Sequence, residues 1–219
     1  PEMAFCTLED DMQCAEDYVR FCCRFVLDNC RPDLEFITKM IDSEAIDRLE
    51  QVASTPFMRL SYTEAIEKLE EVVKEGIKKF QYPVAWGIDL QSEHERYLTE
   101  EVYKQPVIVY NYPKDIKAFY MKRDPENDKL ALGIDMIAPE GFGEIVGGGQ
   151  REDDHDTLLS RIKEHKLPIE PFQWYLDLRK YGSVPHSGYG LGIERTVGWI
   201  CGTKHVRETI PYPRTCLLY

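Results

Sequence analysis

HSGYGLGIERTVGWICG, from His186 to Gly202, sets glycine at every second position of a run that otherwise reads as a strand, then closes on Glu194 and Arg195. Glycine within a strand loses entropy on folding and packs nothing. Residues two apart share a strand face. Gly188, Gly190 and Gly192 therefore clear one face, while Tyr189, Leu191 and Ile193 fill the other. A bare patch of sheet admits a flat ring or a chain of phosphates against the backbone. Glu194 and Arg195 then open a helix, where amide donors and a guanidinium meet anionic oxygen. The same pattern also fits a glycine-rich strand closely packed by a neighbouring helix.

Outward from this run, short apolar or alternating stretches recur from Trp86 onward. They are WGIDL, PVIVYNYP, KAFYM, LALGIDMIAP and FGEIVGGGQRE. Turns separate most of them, and helical patterns interrupt at EHERYLTEEVY, DDHDTLLSRIKEHK and PFQWYLDLRKYG. Strands joined by tight turns run antiparallel. The N-terminal part is helical. Thr7 and Asp10 form a capping-box pattern, and Met12, Ala15, Val19, Cys22, Phe25 and Val26 recur at helical spacing, which predicts a helix from Leu8 to Asn29. A polar connection through NCRPDLEF follows, then FMRLS as a short strand and TEAIEKLEEVVKEG as a helix ended by Gly76. The order predicts one α+β domain, a mainly antiparallel sheet flanked by helices, and not a doubly wound parallel fold.

Composition agrees. The 219 residues are 43% hydrophobic and 11% aromatic, which fits a folded globular protein and not a disordered one. No apolar run approaches the ~18 residues of a membrane span, and PEMAFCTLEDD lacks the basic start and apolar core of a secretory signal. Seven cysteines without CxxC pairs (Cys6, Cys14, Cys22, Cys23, Cys30, Cys201 and Cys216) predict reduced thiols and a cytoplasmic location. The five histidines form no zinc spacing. A net charge of −12 argues against a broad nucleic-acid footprint, although a local cleft can differ from the average.

Familiar nucleotide loops do not fit. The GxGxG spacing is not the Rossmann GxGxxG, no Gly-Lys-Ser/Thr triple exists, and GFGEIVGGG places Val146 where a kinase loop requires glycine. Asp135 and Glu144 flank MIAPEGFG, whose Pro139 and Gly141 favour a turn, so the flanking strands should form a hairpin that brings the two carboxylates together. Like charges facing one another in a sheet repel. Mg²⁺ removes that repulsion, using one or two carboxylates plus phosphate oxygens. Two solvated carboxylates on an exposed hairpin remain the alternative. Strict alternation puts Arg151 and Glu144 on opposite faces, and a bulge in Gly147–Gly149 would bring them to the same one. Ser92 and His94 in QSEHER read as a surface helix start, and REDDHD supplies N-cap residues for the next helix. Phe119 and Tyr120 read as core on one side, with a cleft lining as the alternative.

Together these stretches resemble a class II aminoacyl-tRNA synthetase of the aspartate/asparagine subgroup. GLGIER is similar to motif 3 of that class, and PEMAF to the closing strand of motif 2. WGIDLQSEHERYLTEE, IKAFYMKRDPEN, GEIVGGGQRED, GSVPHSGYGLGIER and VRETIPYPRT follow in the subgroup's order, so the resemblance covers nearly the whole chain. DMIAPEGFGEIVGGGQRE has the longer Pro/Gly hairpin and GGxQRE pattern of the asparagine enzymes. Aspartate enzymes more often carry a shorter acidic hairpin.

The resemblance implies the class II catalytic fold. It also implies ATP-dependent formation of asparaginyl-AMP followed by transfer to tRNA(Asn), with ATP and Mg²⁺ at the site. Gly190, Gly192, Ile193, Glu194 and Arg195 would line ATP, with Arg195 on its distal phosphate. Asp135 and Glu144 would hold magnesium, and Arg195 and Glu144 would be catalytic. Arg151 would take the substrate side-chain oxygen beside Gly147. Discrimination of asparagine from aspartate would need an acidic residue at the end of motif 2, just before Pro1. Motif 1, most of motif 2 and the anticodon-binding OB domain find no counterpart in these residues. Residues 1–219 are therefore expected to be the C-terminal part of a catalytic domain, inactive alone, with a homodimer expected for the full-length enzyme. The rival readings are an aspartyl enzyme, a tRNA-independent paralogue making asparagine from aspartate and ammonia, and a non-catalytic synthetase-like module.

Overall fold

Six strands form one sheet in the order β1-β6-β5-β4-β3-β2. A computed structural model describes residues 1–214, and Cys216 lies outside the described residues. The strands are β1 (Glu2–Ala4), β2 (Met58–Ser61), β3 (Val107–Pro113), β4 (Leu130–Ala138), β5 (Gly143–Gln150) and β6 (His186–Leu191). Only β2 and β3 pair in parallel; every other neighbour is antiparallel. The fold is α+β, as the order of patterns predicts.

Helix α1 runs Leu8–Asn29, with the expected capping box: the Asp10 amide donates to Thr7 Oγ1, and the Thr7 amide to Asp10 Oδ2. NCRPDLEF is not an irregular connection. Cys30 alone breaks the chain, and Arg31–Met40 forms α2, because Pro32 sits in the first turn where no intrahelical N–H is needed. Helix α3 (Ala45–Ser54) follows, then α4 (Tyr62–Lys74), beyond which Gly76 adopts φ +72°. WGIDL and KAFYM are not strands. The first is a turn before α5 (Ser92–Arg96), which runs on through a wider turn to Val102, and the second contributes only a bridge from Met121 to Arg151. Helices α6 (His155–Glu164), α7 (Gln173–Lys180) and α8 (Ile193–Cys201) are the remaining α-helices among the described residues.

The core lies mainly beneath the sheet. Met12, Ala15, Val19 and Cys23 of α1 pack with Leu49 and Val52 of α3, and with Ile134, Met136, Ile145, Val146 and Tyr189 of the strands. A second cluster above the far end of the sheet joins Tyr62, Ile66 and Leu69 of α4 to Val107, Val109, Tyr112 and Ile137. Each fully buried side chain of this size contributes roughly 1.5–3 kcal/mol. The upper face of β5 and β6 stays open.

Arg48 of α3, almost fully buried, fastens the β4–β5 turn to α8. Its Nη1 donates to Glu140 (2.6 Å) and Asp42 (2.7 Å), and its Nη2 to the Trp199 carbonyl (3.0 Å). The turn that separates Asp135 from Glu144 is thereby held to the helix that carries Arg195.

Candidate functional site

Asp135 lies opposite Gly147, and Glu144 opposite Ile137, so the two acids are diagonal and not directly paired. The bulge that brings Glu144 to the face of Arg151 lies in β5 itself, just ahead of the glycines and not among them. Val146 pairs with Met136 and Glu144 with Ile137, which leaves Ile145 as the extra residue. Ile145 and Val146 both turn into the core beneath the sheet, whereas Gly147–Gly149 pair regularly with Gly188–Gly190. Burying two consecutive apolar side chains places the irregularity there. The face is shared all the same: Glu144, Gly147 and Arg151 point upward together.

At one end of this face are the carboxylates. A Cβ on Gly147 would abut Glu144 Oε1 and stand 3.6 Å from Asp135 Oδ1. Lys117, unnoticed in the sequence, supplies the counter-charge. Its Nζ lies 2.7 and 2.6 Å from the two Asp135 oxygens and 3.9 Å from the Tyr112 ring centroid. Glu144 has no such partner among the described residues, and desolvation together with Asp135 raises its pKa against the pull of Lys117 and Arg195. Arg195 is exposed at the start of α8, donating from Nη1 to the Glu144 carbonyl at 2.7 Å. A third acid, Glu95, also faces the group. Burial, then Asp135 and Glu144, push it up to about 7. Glu95, Glu144, Glu194 and Arg195 border a cavity of about 920 Å³.

At the other end Arg151 forms a fork with Glu2. Nε donates to Oε1 at 3.0 Å and Nη2 to Oε2 at 3.1 Å. The guanidinium carbon lies 5.4 Å from the Tyr120 ring centroid; Phe119 and Tyr120 both pack against the satellite core of Leu158, Ile162 and Leu176 and both border the hollow beside Arg151. A Cβ on Gly188 would collide with the Glu2 carboxylate and, at 2.5 Å, with the Pro1 carbonyl, so this glycine serves the approach of β1.

Between the two ends the face is bare. Gly190 has open space where a Cβ would stand. Gly192 is not part of the strand: it is the N-cap residue of α8, and its amide donates to the Ile145 carbonyl at 2.8 Å. Glu194 borders the same cavity as Arg195, while Ile193, 68% exposed, borders a separate one with Gly190, Cys14 and Tyr18. Asp135, Glu144, Gly147, Gly190 and Arg151 thus lie along one sheet face, with Arg195 bonded at its carboxylate end, while the hollows beside Arg195, Arg151 and Gly190 are separate, Ile193 bordering the last.

QSEHER does start a helix, at the exposed Ser92, but the helix does not lie wholly on the surface. His94 is fully buried with its ring edge against Phe80, and its neighbour Glu95 faces the acids. The helical turn that buries one residue must aim the next elsewhere, which is the signal that could have found Glu95. Nothing local marks Lys117 or Glu2, whose roles come from partners distant in the chain. REDDHD behaves as expected, with Asp154 capping α6 through the Thr157 amide (2.8 Å). Among the described residues no group of three or more His, Cys, Asp or Glu could hold a metal ion alone, and no helix is long and apolar enough to cross a membrane.

Residues 1–216 match the family of tRNA synthetases class II (D, K and N). The chain is 54% identical over 214 residues to an Arabidopsis thaliana protein named asparagine–tRNA ligase, cytoplasmic 1, covering 98% of this chain and 37% of that protein. It is 52% identical to a Protochlamydia amoebophila asparagine–tRNA ligase, covering 98% and 44% respectively. Among solved structures, asparaginyl-tRNA synthetase from Pyrococcus horikoshii complexed with asparaginyl-adenylate superposes with a TM-score of 0.87 at 44% identity, covering 99% of this chain and 46% of that one. The chain spans less than half the length of these curated relatives.

Proposed function

From the premise that the chain belongs to the class II tRNA synthetases of the D, K and N group, we propose that its cleft takes part in activating asparagine with ATP and in passing the asparaginyl group to tRNA(Asn). The observation that carries this reading is the bare sheet between two unlike ends. One end offers a guanidinium–carboxylate fork suited to a small polar side chain. The other gathers Asp135, Glu144 and Arg195 around room for phosphates.

Activation joins the asparagine carboxylate to the α-phosphorus and releases pyrophosphate, so the site's task is alignment and charge stabilisation. Arg151 would hold the side-chain oxygen of asparagine, Gly147 and Gly190 would let substrate lie against main chain, and Arg195 would take charge on the departing phosphates. The donor set fits magnesium carried by ATP, since Glu144 is crowded by Asp135 and the two acids supply the one or two carboxylates such an ion takes beside phosphate oxygens. When bound, the ion would neutralise phosphate charge. Lys117 holds Asp135 in place meanwhile. The homodimer, the tRNA partner and a cytosolic location belong to the same proposal.

Asparagine-dependent ATP–pyrophosphate exchange by the natural gene product containing this chain tests it. Exchange supported by asparagine and not by aspartate is expected. Exchange with aspartate alone, or none with either, overturns the reading.

A further inference from the structure

Arg179 of α7 is only 8% exposed and forms no ion pair among the described residues. Every partner it has is neutral. Nε donates to the Glu152 carbonyl at 2.9 Å, Nη2 to Tyr175 Oη at 3.0 Å, and Nη1 to the Tyr175 carbonyl at 3.4 Å. The guanidinium lies 4.0 Å from the centroid of the Tyr175 ring. Nη2 also lies 3.4 Å from His186 Nε2. His186 Nδ1 sits 2.8 Å from the Val184 carbonyl, which can only accept, so Nδ1 carries a proton and Nε2 of the neutral ring accepts from Arg179.

A buried cation without an acid is costly to keep, and an apolar side chain would fill the same space at less expense. What an apolar residue lacks is the fork of donors, and the fork falls in an informative place. β5 ends at Gln150, so the Glu152 carbonyl has left the sheet ladder, and Arg179 satisfies it within the core. Glu152 directly follows Arg151. On the other strand, His186 offers its carbonyl to the Arg151 amide at 2.9 Å. Arg179 therefore grips the main chain just beyond Arg151 and the ring of the residue that Arg151 bonds across the sheet. His186 Nε2 also lies 3.9 Å from Glu2 Oε1, so the ring that Arg179 holds stands beside the carboxylate half of the clamp without bonding it. Tyr120, through whose carbonyl the Glu152 amide is held at 2.8 Å, closes the set.

We propose that Arg179 is a positioning residue that aims the Arg151–Glu2 clamp at the substrate side chain, acting through the Glu152 carbonyl and the His186 ring. This rests on the amino-acid role given to Arg151 above. It assigns no contact between Arg179 and substrate, and it predicts an effect confined to one substrate of two.

The test uses Arg179→Met and Tyr175→Phe in the natural gene product, with asparagine and ATP varied separately in pyrophosphate exchange. Arg179→Met should raise the asparagine KM about tenfold while the ATP KM stays within about twofold, the mark of lost binding at one subsite. Tyr175→Phe, which removes one acceptor, should raise the asparagine KM about threefold. Parallel changes in both constants, or an unchanged asparagine KM in a folded Arg179→Met, would overturn the proposal. Crystal structures of both variants give a readout independent of activity. A displaced Glu152 carbonyl and an opened Arg151–Glu2 fork are expected, and an undisturbed fork overturns the positioning role. Wild-type protein without asparagine-dependent exchange would instead reject the functional reading, with the fork geometry still deciding the positioning claim. Should Arg179→Met fail to fold, Tyr175→Phe carries both readouts alone, and no change in either counts against the proposal.

Discussion

The two ends of the cleft are built on opposite electrostatic plans. At the Arg151 end the charges are closed on themselves: the guanidinium and Glu2 form a two-bond fork, and Arg179 braces the main chain behind it. At the Arg195 end they are left open. Asp135 has Lys117, but Glu144 and Glu95 have no cation within bonding distance among the described residues, and both are held above the usual carboxylate range. The Arg195 side chain makes a single hydrogen bond among the described residues, to a carbonyl. A closed end reads shape and hydrogen-bonding pattern with little rearrangement. An open end has charge to spare for a ligand that brings both phosphates and a cation.

The largest effect is expected at Arg195. Arg195→Ala should lower the exchange rate by about 10²–10³, the usual cost of one charge-stabilising contact to developing anionic oxygen. The loss should fall on the rate and leave the asparagine KM nearly unchanged. A wild-type rate would show that the open end does not handle phosphate. Lys117 comes next. Lys117→Met leaves Asp135, 15% exposed, without its cation, and stability should fall by about 1–3 kcal/mol. Added Mg²⁺ should restore part of the loss in a thermal melt, since the vacated charge faces Glu144. An equal melting shift with and without magnesium would mean that the acids do not share an ion.

Much of this layout is legible in the sequence, and the limits have physical causes. Helix α1 is read to both ends because its cap, its apolar stripe and its length all agree. The β4–β5 hairpin is read because turn chemistry and flanking alternation coincide, and Glu140 and Gly141 do take positive φ, 65° and 77°. Pro32 misleads, since the residue that breaks a helix interior is welcome in its first turn. The bulge is expected at the glycines for their freedom, but it sits at Ile145, where burial of a side chain decides. Lys117, Glu95 and Glu2 escape because a counter-charge is defined by where its partner lands, and Glu2 lands beside a residue 149 positions away.

Asp11 sharpens the contrast from beneath the closed end. It is fully buried on α1 with no hydrogen-bond partner for either oxygen among the described residues, and desolvation raises it to about 7, against the pull of the Arg151 charge. The folded form therefore holds a proton that the unfolded chain, near its ordinary value of 3.8, has released. Stability from this group is complete below about pH 4 and is lost as pH rises through about 7. Asp11→Asn removes the titration. The fall in unfolding free energy between pH 6 and pH 8 should shrink by about 1.4 kcal/mol, one pKa unit's equivalent, in denaturant melts at the two pH values. An unchanged slope would mean that Asp11 ionises freely, and that the closed end has no buried acid to hold neutral.

The smallest change in stability is expected where the two ends meet. Gly188 and Gly190 share a strand and a face, yet a side chain on the first would strike the Glu2 carboxylate and the Pro1 carbonyl, while one on the second would meet nothing within 4 Å. Gly190 also needs no positive φ. Gly190→Ala should therefore leave the melting midpoint nearly untouched, within about 0.5 kcal/mol. A methyl group standing on the bare face should nonetheless crowd whatever lies flat there. Overpacking of a fitted contact costs about 1–3 kcal/mol, so a non-hydrolysable asparaginyl-adenylate analogue should bind at least several-fold more weakly to this variant in calorimetry. Unaltered affinity would show that the glycine faces solvent with or without ligand, and that the open and closed ends do not serve one molecule laid across both.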